Sequence, residues 1–132
     1  MAYQPNTATV LLFLAAAAAV IMSCDAAAGD CKLSDITVTT ARTGKVVAGQ
    51  PEYEVTMANG CDCPQNGVWV RCAGGGVQSV EPVDESKIRA ESGDGRCIVN
   101  DGMPVARGSP VTFTYAWSQQ QDFPVDEATP RC

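Results

Sequence analysis

Residues 111–117 read VTFTYAW, and large apolar side chains fall on every second position of this stretch. Because successive side chains of a β-strand point to opposite faces, these apolar residues share one face. The alternation is the clearest strand signal in the chain, and it predicts a strand with one side in a core. We expect this face to pack against two weaker strands, with the buried set formed by Val111, Phe113, Tyr115, Trp117, Val55, Met57, Val68 and Val70.

Other strand signals lie on both sides of this stretch. Residues 36–40, 53–58, 68–72 and 97–99 are β-branched or apolar, and residues 77–83 and 123–129 are weaker candidates. Residues 43–45 and 48–51 predict a loop, and turns are expected at Asn59-Gly60, Asn66-Gly67 and residues 74–76. No apolar stripe at helical spacing follows residue 30. Many short strands predict an all-β fold, a small disulfide-stapled antiparallel β-sandwich.

The cysteines set the expected compartment. The chain has 132 residues, seven cysteines and no histidine. Six cysteines follow an apolar leader, and an even number in a domain of this size predicts three disulfides in a secreted protein. These six are Cys31, Cys61, Cys63, Cys72, Cys97 and Cys132. Fifteen connectivities are possible. A hairpin of residues 36–40 and 53–58 would place Cys31 near Cys61 and Cys63, which favours the set Cys31–Cys63, Cys61–Cys97 and Cys72–Cys132.

The leader predicts secretion. Residues 10–22 read VLLFLAAAAAVIM, too short a run for a typical membrane-spanning helix of about 20 residues. Small residues follow at 26–29, as a signal peptidase requires. We therefore predict a signal peptide at residues 1–28, a secreted domain at 29–132 in the apoplast, and no membrane span after processing. The first thirty residues lack Lys and Arg, and an uncleaved N-terminal anchor is the competing interpretation. A lipoprotein with Cys24 as the lipidated residue is a further alternative, and the missing basic residues count against it.

The residue types exclude most catalytic sites. Without histidine there is no Ser-His-Asp triad, no Cys-His dyad and no histidine metal site. The acid pairs Asp84-Glu85 and Asp126-Glu127 are expected to be solvated, because adjacent strand residues face opposite ways. Cys61-Asp62-Cys63 could be half of a metal clip with Cys72, but an oxidising compartment favours disulfides. We therefore expect no enzymatic activity, metal or cofactor. A net charge of −6 with scattered basic residues also makes nucleic acid an improbable partner.

Two blocks of the sequence resemble a known family. The first is Cys97-Ile98-Val99-Asn100-Asp101-Gly102-Met103-Pro104, and the second is Phe113-x-Tyr115-Ala116. With the cysteine order before them and Cys132 after them, they resemble the plant TAPETUM DETERMINANT-like family of small secreted cysteine-rich proteins. The resemblance spans the whole predicted mature domain. Two departures are Ala73 with Gly74-Gly75-Gly76 after Cys72, and the polar run Gln119-Gln120-Gln121-Asp122.

The resemblance implies a signalling role. It implies a secreted ligand that binds the ectodomain of a leucine-rich-repeat receptor kinase and specifies reproductive cell fate in the anther and its tapetum. Rigid loops lose little entropy on docking, and Arg is enriched at interfaces, so charged residues outside the predicted strands are the candidate contacts. These are Lys87, Arg89, Arg96, Asp101 and Arg107. The competing interpretation of residues 100–102 is a simple turn.

An alternative function is a cell-wall carbohydrate-binding β-sandwich module. In that hypothesis Trp69 and Trp117 form a flat platform on which a sugar chain stacks. The test of it is whether Trp69, Trp117, Tyr53 and Tyr115 line one exposed face. Both tryptophans also lie in apolar-alternating segments, so burial in the core is the competing interpretation of each.

Overall fold

A computed structural model describes residues 31–91 and 93–132. The predicted signal peptide at residues 1–28, with Cys24, lies outside the described residues. Within the described part of the chain, no helix is long and apolar enough to cross a membrane.

Seven strands form two antiparallel sheets. In chain order they are β1 (Ile36–Val47), β2 (Gln50–Asn59), β3 (Gln65–Arg71), β4 (Ile88–Ala90), β5 (Arg96–Val99), β6 (Val111–Ala116) and β7 (Val125–Pro130). The first sheet has the order β1-β2-β6 and the second the order β4-β5-β3-β7. Short 3-10 turns lie at Leu33–Asp35 and Asn100–Gly102. The prediction of an all-β, disulfide-stapled antiparallel sandwich is confirmed.

The alternating residues of both sheets build the core. β2 pairs with β6 so that Tyr53 lies opposite Tyr115 and Val55 opposite Phe113. Aromatic rings also connect the two sheets, since the Phe113 ring contacts the ring of Phe123, which precedes β7, edge-on at 5.7 Å between ring centroids. The predicted core face is therefore confirmed at seven buried positions: Val111, Phe113, Tyr115, Val55, Met57, Val68 and Val70.

Trp117 departs from that prediction. It follows the last residue of β6 and is only half-buried, packed against the rim of the core. Its main-chain amide still donates to the carbonyl oxygen of Pro51 at 3.2 Å. The alternation was therefore read correctly through Tyr115, but the strand ends at Ala116.

The first hairpin is longer than predicted. Instead of a loop at residues 43–51, β1 continues to Val47, and only Ala48 and Gly49 form the turn. Both have positive φ, 51° and 83°, which is the backbone that tight two-residue hairpins require. Residues 43–45 form a bulge, because the register jumps from Arg42 to Val46. The two segments predicted as a loop are thus a bulge at residues 43–45 and a tight turn at Ala48 and Gly49, both within one hairpin.

Two other local predictions were wrong, and one strand was missed. Residues 77–83 form no strand, and their main chain instead bonds to β6, where the Val80 amide donates to the Ala116 carbonyl oxygen at 2.9 Å. Asn66-Gly67 is not a turn but a bulge inside β3, with Gly67 at φ 59°. Strand β4 had no signal, because a three-residue strand is too short for any alternation to be detected.

All six predicted cysteines form disulfides, but the predicted connectivity was wrong in every pair. The bridges are Cys31–Cys61, Cys63–Cys132 and Cys72–Cys97. Pairing of Gln65 with Pro130 continues outward to Cys63 and Cys132, and pairing of Arg71 with Arg96 places Cys72 beside Cys97. The pairs β3–β5 and β3–β7 join strands that are distant in sequence, so an argument from a local hairpin could not predict these two disulfides.

A buried polar network holds the cysteine-rich end of the sandwich. The Asn59 amide nitrogen donates to the carbonyl oxygens of Cys63 at 2.8 Å and Val105 at 2.9 Å. Its carbonyl oxygen accepts from the Cys61 amide at 2.9 Å and from the Gln65 side chain at 3.3 Å. Asn59 was predicted as a turn residue. It is instead the last residue of β2 and lies buried among the groups it satisfies.

Candidate functional site

The outer face of the second sheet gathers most of the predicted contact residues. Residues paired across antiparallel strands share a face, and Arg89 pairs with Ile98, which pairs with Trp69, which pairs with Glu127. Arg71 and Arg96, two residues along their strands, lie in the next row. The inner face of the same strands is the core. We call this set the charged face: Trp69, Arg71, Arg89, Arg96, Ile98, Asp101, Asp126 and Glu127.

Arg96 is the centre of the charged face. Its guanidinium stacks on the Trp69 ring at 4.5 Å from the ring centroid. The same group contacts Asp126 at 2.9 Å and Glu127 at 2.8 Å. A guanidinium held by an aromatic ring and two carboxylates keeps one orientation, since its planar fork fits both kinds of partner. The face therefore presents a fixed Arg–Trp pair at its middle.

A strained turn borders the charged face. Asn100, Asp101 and Gly102 follow one another with φ of 56°, 60° and 78°, and non-glycine residues adopt such backbone rarely. The turn lies over the face, because a Cβ at Gly102 would lie 3.6 Å from the Ile98 side chain. Asp101 bonds to Arg89 across it. The structure thus makes residues 100–102 a turn, and also attaches that turn to a predicted contact residue.

The other two predicted contacts lie at the margin. Lys87 immediately precedes β4, and its carbonyl oxygen accepts from the Asn100 amide at 2.8 Å, so it joins the turn. Arg107 does not join the charged face. It bonds to Asp62, between Cys61 and Cys63, at the end of the sandwich where β3 begins. The structure therefore brings together Arg89, Arg96 and Asp101 and separates Arg107 from them.

The aromatic platform of the carbohydrate hypothesis does not form. Tyr53 and Tyr115 are buried and stack on each other at 5.3 Å between ring centroids. Trp117 follows β6 in the first sheet, while Trp69 lies on the outer face of the second sheet. The four rings therefore do not line one exposed face. The metal-clip alternative also loses its ligands, because Cys61, Cys63 and Cys72 are all in disulfides.

A family model described as "Tapetum determinant 1, C-terminal" matches residues 32–132. The chain belongs to the Tapetum determinant 1 family. It is similar to TPD1 protein homolog 1 of Arabidopsis thaliana, with 33% identity over 105 residues, or 78% of this chain and 56% of the relative. It is also 33% identical to TPD1 protein homolog 1A of Oryza sativa subsp. japonica over 103 residues, 72% of this chain and 44% of the relative.

The chain spans about half the length of the curated relatives that it matches. No solved structure matches it. The family resemblance seen in the sequence is confirmed. In this Tapetum determinant 1 family member, one resembling block forms β5 and the strained turn, and the other forms β6. Residues 73–76, where the sequence departs from the family pattern, form a tight turn, since Ala73 and Gly76 pair.

Sequence reasoning missed the acidic side of the charged face. Asp126 and Glu127 were predicted as solvated acids, yet both bond to Arg96. Trp69 was considered only as core or sugar platform, yet it supports that same guanidinium. Alternation of Trp69 with Val70 and of Arg96 with Cys97 could have placed both on outer faces. Only the registers of β3 with β5 and β7 bring them together.

A pair of acidic side chains, Glu52 and Glu81, lies apart from the charged face, under the bulge of the first hairpin. Glu52 is 7% exposed and accepts a hydrogen bond of 2.8 Å from the Thr43 hydroxyl. That bond, with a further one from Glu81, lowers the pKa of Glu52. Burial raises the pKa of Glu81, as do its hydrogen bond to Glu52 and the charge of Glu52, while Lys45 and Thr114 act in the opposite direction. The two carboxyl groups therefore share one proton most favourably.

This pair predicts a stability optimum in mild acid. The contribution of Glu52, whose pKa is lowered from 4.5, is lost as the pH falls. The contribution of Glu81, whose pKa is raised from 4.5, is lost as the pH rises through that raised value. We expect Glu81→Gln to reduce the fall in melting temperature between mild acid and neutral pH. Glu54→Gln is the control, because Glu54 is exposed on β2, two residues from Glu52. Parallel pH profiles of Glu81→Gln and the unmodified protein would contradict the assignment.

Proposed function

We propose that the chain is a secreted signalling protein that acts in the apoplast. It binds the ectodomain of a plant leucine-rich-repeat receptor kinase through the charged face, without catalytic turnover, and helps to specify anther or other reproductive cell fate. Membership of the Tapetum determinant 1 family supports the tapetal role. The three disulfides support an oxidising, extracellular location.

The observation that carries the binding surface is the fixed Arg96–Trp69 pair. Arg and Trp are the residue types that most often dominate binding energy at protein interfaces. Both belong to strands of a disulfide-held sheet, since Cys72–Cys97 joins the ends of β3 and β5. A surface that is already ordered loses less entropy when it docks. The charged face therefore combines suitable residue types with a rigid support.

The ion pairs on this face leave it able to exchange partners. Arg96 is about a quarter exposed in its side chain, and Glu127 more than half. Exposed pairs of this kind stabilise a fold by about 0–1 kcal/mol. Loss of these pairs alone should therefore change folding little. Arg96→Glu also places a third carboxylate beside Asp126 and Glu127 and should lower the melting temperature, whereas Arg96→Gln removes the guanidinium without that repulsion. A receptor that contacts the guanidinium loses its partner in either variant. Binding and stability can be separated by experiment.

Charge reversal on and off the face tests the proposal. Arg96→Glu and Arg89→Glu should each weaken binding to the recognised member of a panel of purified leucine-rich-repeat ectodomains by about tenfold or more. Arg107→Glu is the matched control, because Arg107 is also an exposed, ion-paired arginine but bonds to Asp62. Affinity is measured by biolayer interferometry, with the melting temperature recorded for each variant.

Three outcomes would contradict the proposal. One is that no ectodomain of the panel binds the secreted protein. Another is that Arg107→Glu weakens binding as much as Arg96→Glu, which would locate the contact elsewhere. The third is retention on insoluble glucan that Trp69→Ala abolishes while the fold stays intact. That result would replace a receptor ligand with a carbohydrate-binding protein.

A further inference from the structure

Strand β1 forms an open edge of the first sheet. It pairs with β2 on one side and with no other strand of the described chain. Natural proteins usually protect long edge strands with charges, prolines or bulges, because an exposed edge is a template for pairing. In β1 the bulge and the charges begin only at Arg42. Residues 36–41, ITVTTA, are uncharged, contain no proline and pair in continuous register.

The hydrogen-bonding groups of this edge can be assigned. The Gly60 amide donates to the Asp35 carbonyl oxygen at 2.8 Å, so Asp35 directs its main chain toward β2. Along an antiparallel strand the direction of these groups alternates from residue to residue. The main-chain groups of Thr37 and Thr39 therefore bond to β2. Those of Val38 and Thr40 point away from the sheet, toward the open edge, as does the Ile36 carbonyl oxygen. The Ile36 amide donates to the Leu33 carbonyl oxygen of the preceding 3-10 turn.

The opposite edge of the same sheet is covered at one end by residues of the chain itself. At the end of β6, the Ala116 amide donates to the Ser79 hydroxyl at 3.0 Å. The Ala116 carbonyl oxygen accepts from the Val80 amide at 2.9 Å. These bonds cover one end of β6 with residues 79–80. The corresponding protection is absent from β1 among the described residues.

A groove runs beside the open edge. It has a volume of about 370 Å³ and is lined by Val38 and Thr40 on β1 and by residues 120–125. Phe123, in that segment, is buried in the core, and Val125 begins β7. A strand added to the edge of β1 would direct alternate side chains into this groove, because residues opposite each other share a face. The edge therefore offers both main-chain bonds and a place for side chains.

The charges at the ends of the neutral segment select the occupant. Asp35 precedes it and Arg42 follows it. When two identical segments pair antiparallel, the Asp35 end of one copy lies near the Arg42 end of the other. A register centred on Val38 places Thr37 opposite Thr39 and Ile36 opposite Thr40. It brings outward-pointing main-chain groups together in the Val38–Val38 and Ile36–Thr40 pairs, as the alternation of an antiparallel ladder requires. The Thr37–Thr39 pair lies between them, and Thr–Thr pairs are favourable cross-strand neighbours.

We propose that two copies of this chain associate through β1. The antiparallel pairing joins the two first sheets into one continuous six-stranded sheet about a twofold axis near Val38. Such an interface is self-complementary, as a twofold dimer requires. Val38 and Thr40 of each copy extend over the groove of the other. The proposal does not depend on the receptor proposal, because the charged face lies on the second sheet.

Sedimentation velocity of the purified protein with its disulfides intact tests the association. The weight-average mass should rise toward twice the monomer mass as concentration increases from micromolar to millimolar. Thr40→Lys places a charge in the interface of both copies, opposite Ile36 of the other copy, and should raise the dimer dissociation constant by about tenfold or more. Thr112→Lys makes the same change at an exposed position on β6, the other edge strand, and should leave association unchanged.

Hydrogen exchange on the unmodified protein gives a second test that no folding defect can obscure. The amides of Val38 and Thr40 should exchange rapidly in dilute solution and slow as concentration rises. Those of Thr37 and Thr39 should be protected throughout. A monomer at every concentration overturns the proposal, as does a dimer that Thr112→Lys disrupts and Thr40→Lys preserves. Edge amides with concentration-independent exchange overturn it as well.

Discussion

Phe113→Ala should lower the free energy of unfolding by about 3–5 kcal/mol, the usual cost of truncating a buried aromatic residue. Phe113 is 5% exposed and lies on β6, opposite Val55. Its ring also contacts Phe123, which belongs to the segment that leads into β7. Truncation therefore leaves a cavity between the two sheets, where disulfides and paired strands on both sides prevent collapse. Urea unfolding with the disulfides intact measures the change.

Thr112→Ala is the control for Phe113→Ala, because Thr112 is the neighbouring residue on the same strand and faces solvent. Its effect should stay within about 0.5 kcal/mol, as is usual for exposed positions. A loss below about 1 kcal/mol for Phe113→Ala would show that the layer contact between Phe113 and Phe123 is wrongly placed.

Asn59→Ala should destabilise the protein by about 3 kcal/mol or more, because each buried polar group left without a partner costs about 1–3 kcal/mol. The Asn59 side chain is 3% exposed and bonds to Cys61, Cys63, Gln65 and Val105. Asn59→Asp keeps the shape but turns an acceptor oxygen toward two carbonyl oxygens, and it should be as harmful as the alanine. Equilibrium unfolding and hydrogen exchange at the Cys61 amide measure both variants.

Asn66→Ala is the matched control for Asn59→Ala. Asn66 lies one residue beyond Gln65 in β3, and its side-chain oxygen has no hydrogen-bond partner within the described residues. The same truncation should therefore cost much less than at Asn59. Equal losses at the two positions would mean that the Asn59 network contributes nothing specific.

The sequence predicts which segments form strands better than it predicts which strands pair with each other. The alternation of β6 and β2 is a local property, and it correctly identified Phe113, Tyr115 and Val55 as core. The pairing of β3 with β7 depends on residues that are more than fifty positions apart, and no local pattern encodes it. The disulfide connectivity was predicted wrongly for this reason. Both bulges were misread as loops or turns, because glycine marks all three structures.

The candidate site shows the same division. Arg89, Arg96 and Asp101 were selected as charged residues outside the predicted strands, near the family-like block, and the fold does bring them to one face. Arg89 and Arg96 nevertheless lie in strands, β4 and β5, and not in loops. Arg107 was selected on the same grounds but lies with Asp62, which only the tertiary structure could show. Trp69 was judged from its own strand alone. Its partner Arg96 lies on another strand, so the stacking depends on register rather than on composition.

Cys61 and Cys63 are separated by one residue but belong to different disulfides, and this has a consequence for oxidative folding. Cys31–Cys61 and Cys72–Cys97 close loops with sequence separations of 30 and 25, whereas Cys63–Cys132 has a separation of 69. Closing the longest loop requires β7 to dock on β3, which is the slower kind of event because distant segments must meet first. During that interval the Cys63 thiolate can attack the Cys31 sulfur of the adjacent Cys31–Cys61 bridge, which forms Cys31–Cys63 and releases Cys61 as a thiolate. The non-native Cys31–Cys63 isomer is therefore a kinetic competitor. Attack of the Cys61 thiolate on Cys31 reverses the step and frees Cys63, and docking of β7 then places Cys63 beside Cys132, where the pair is oxidised to the native bridge.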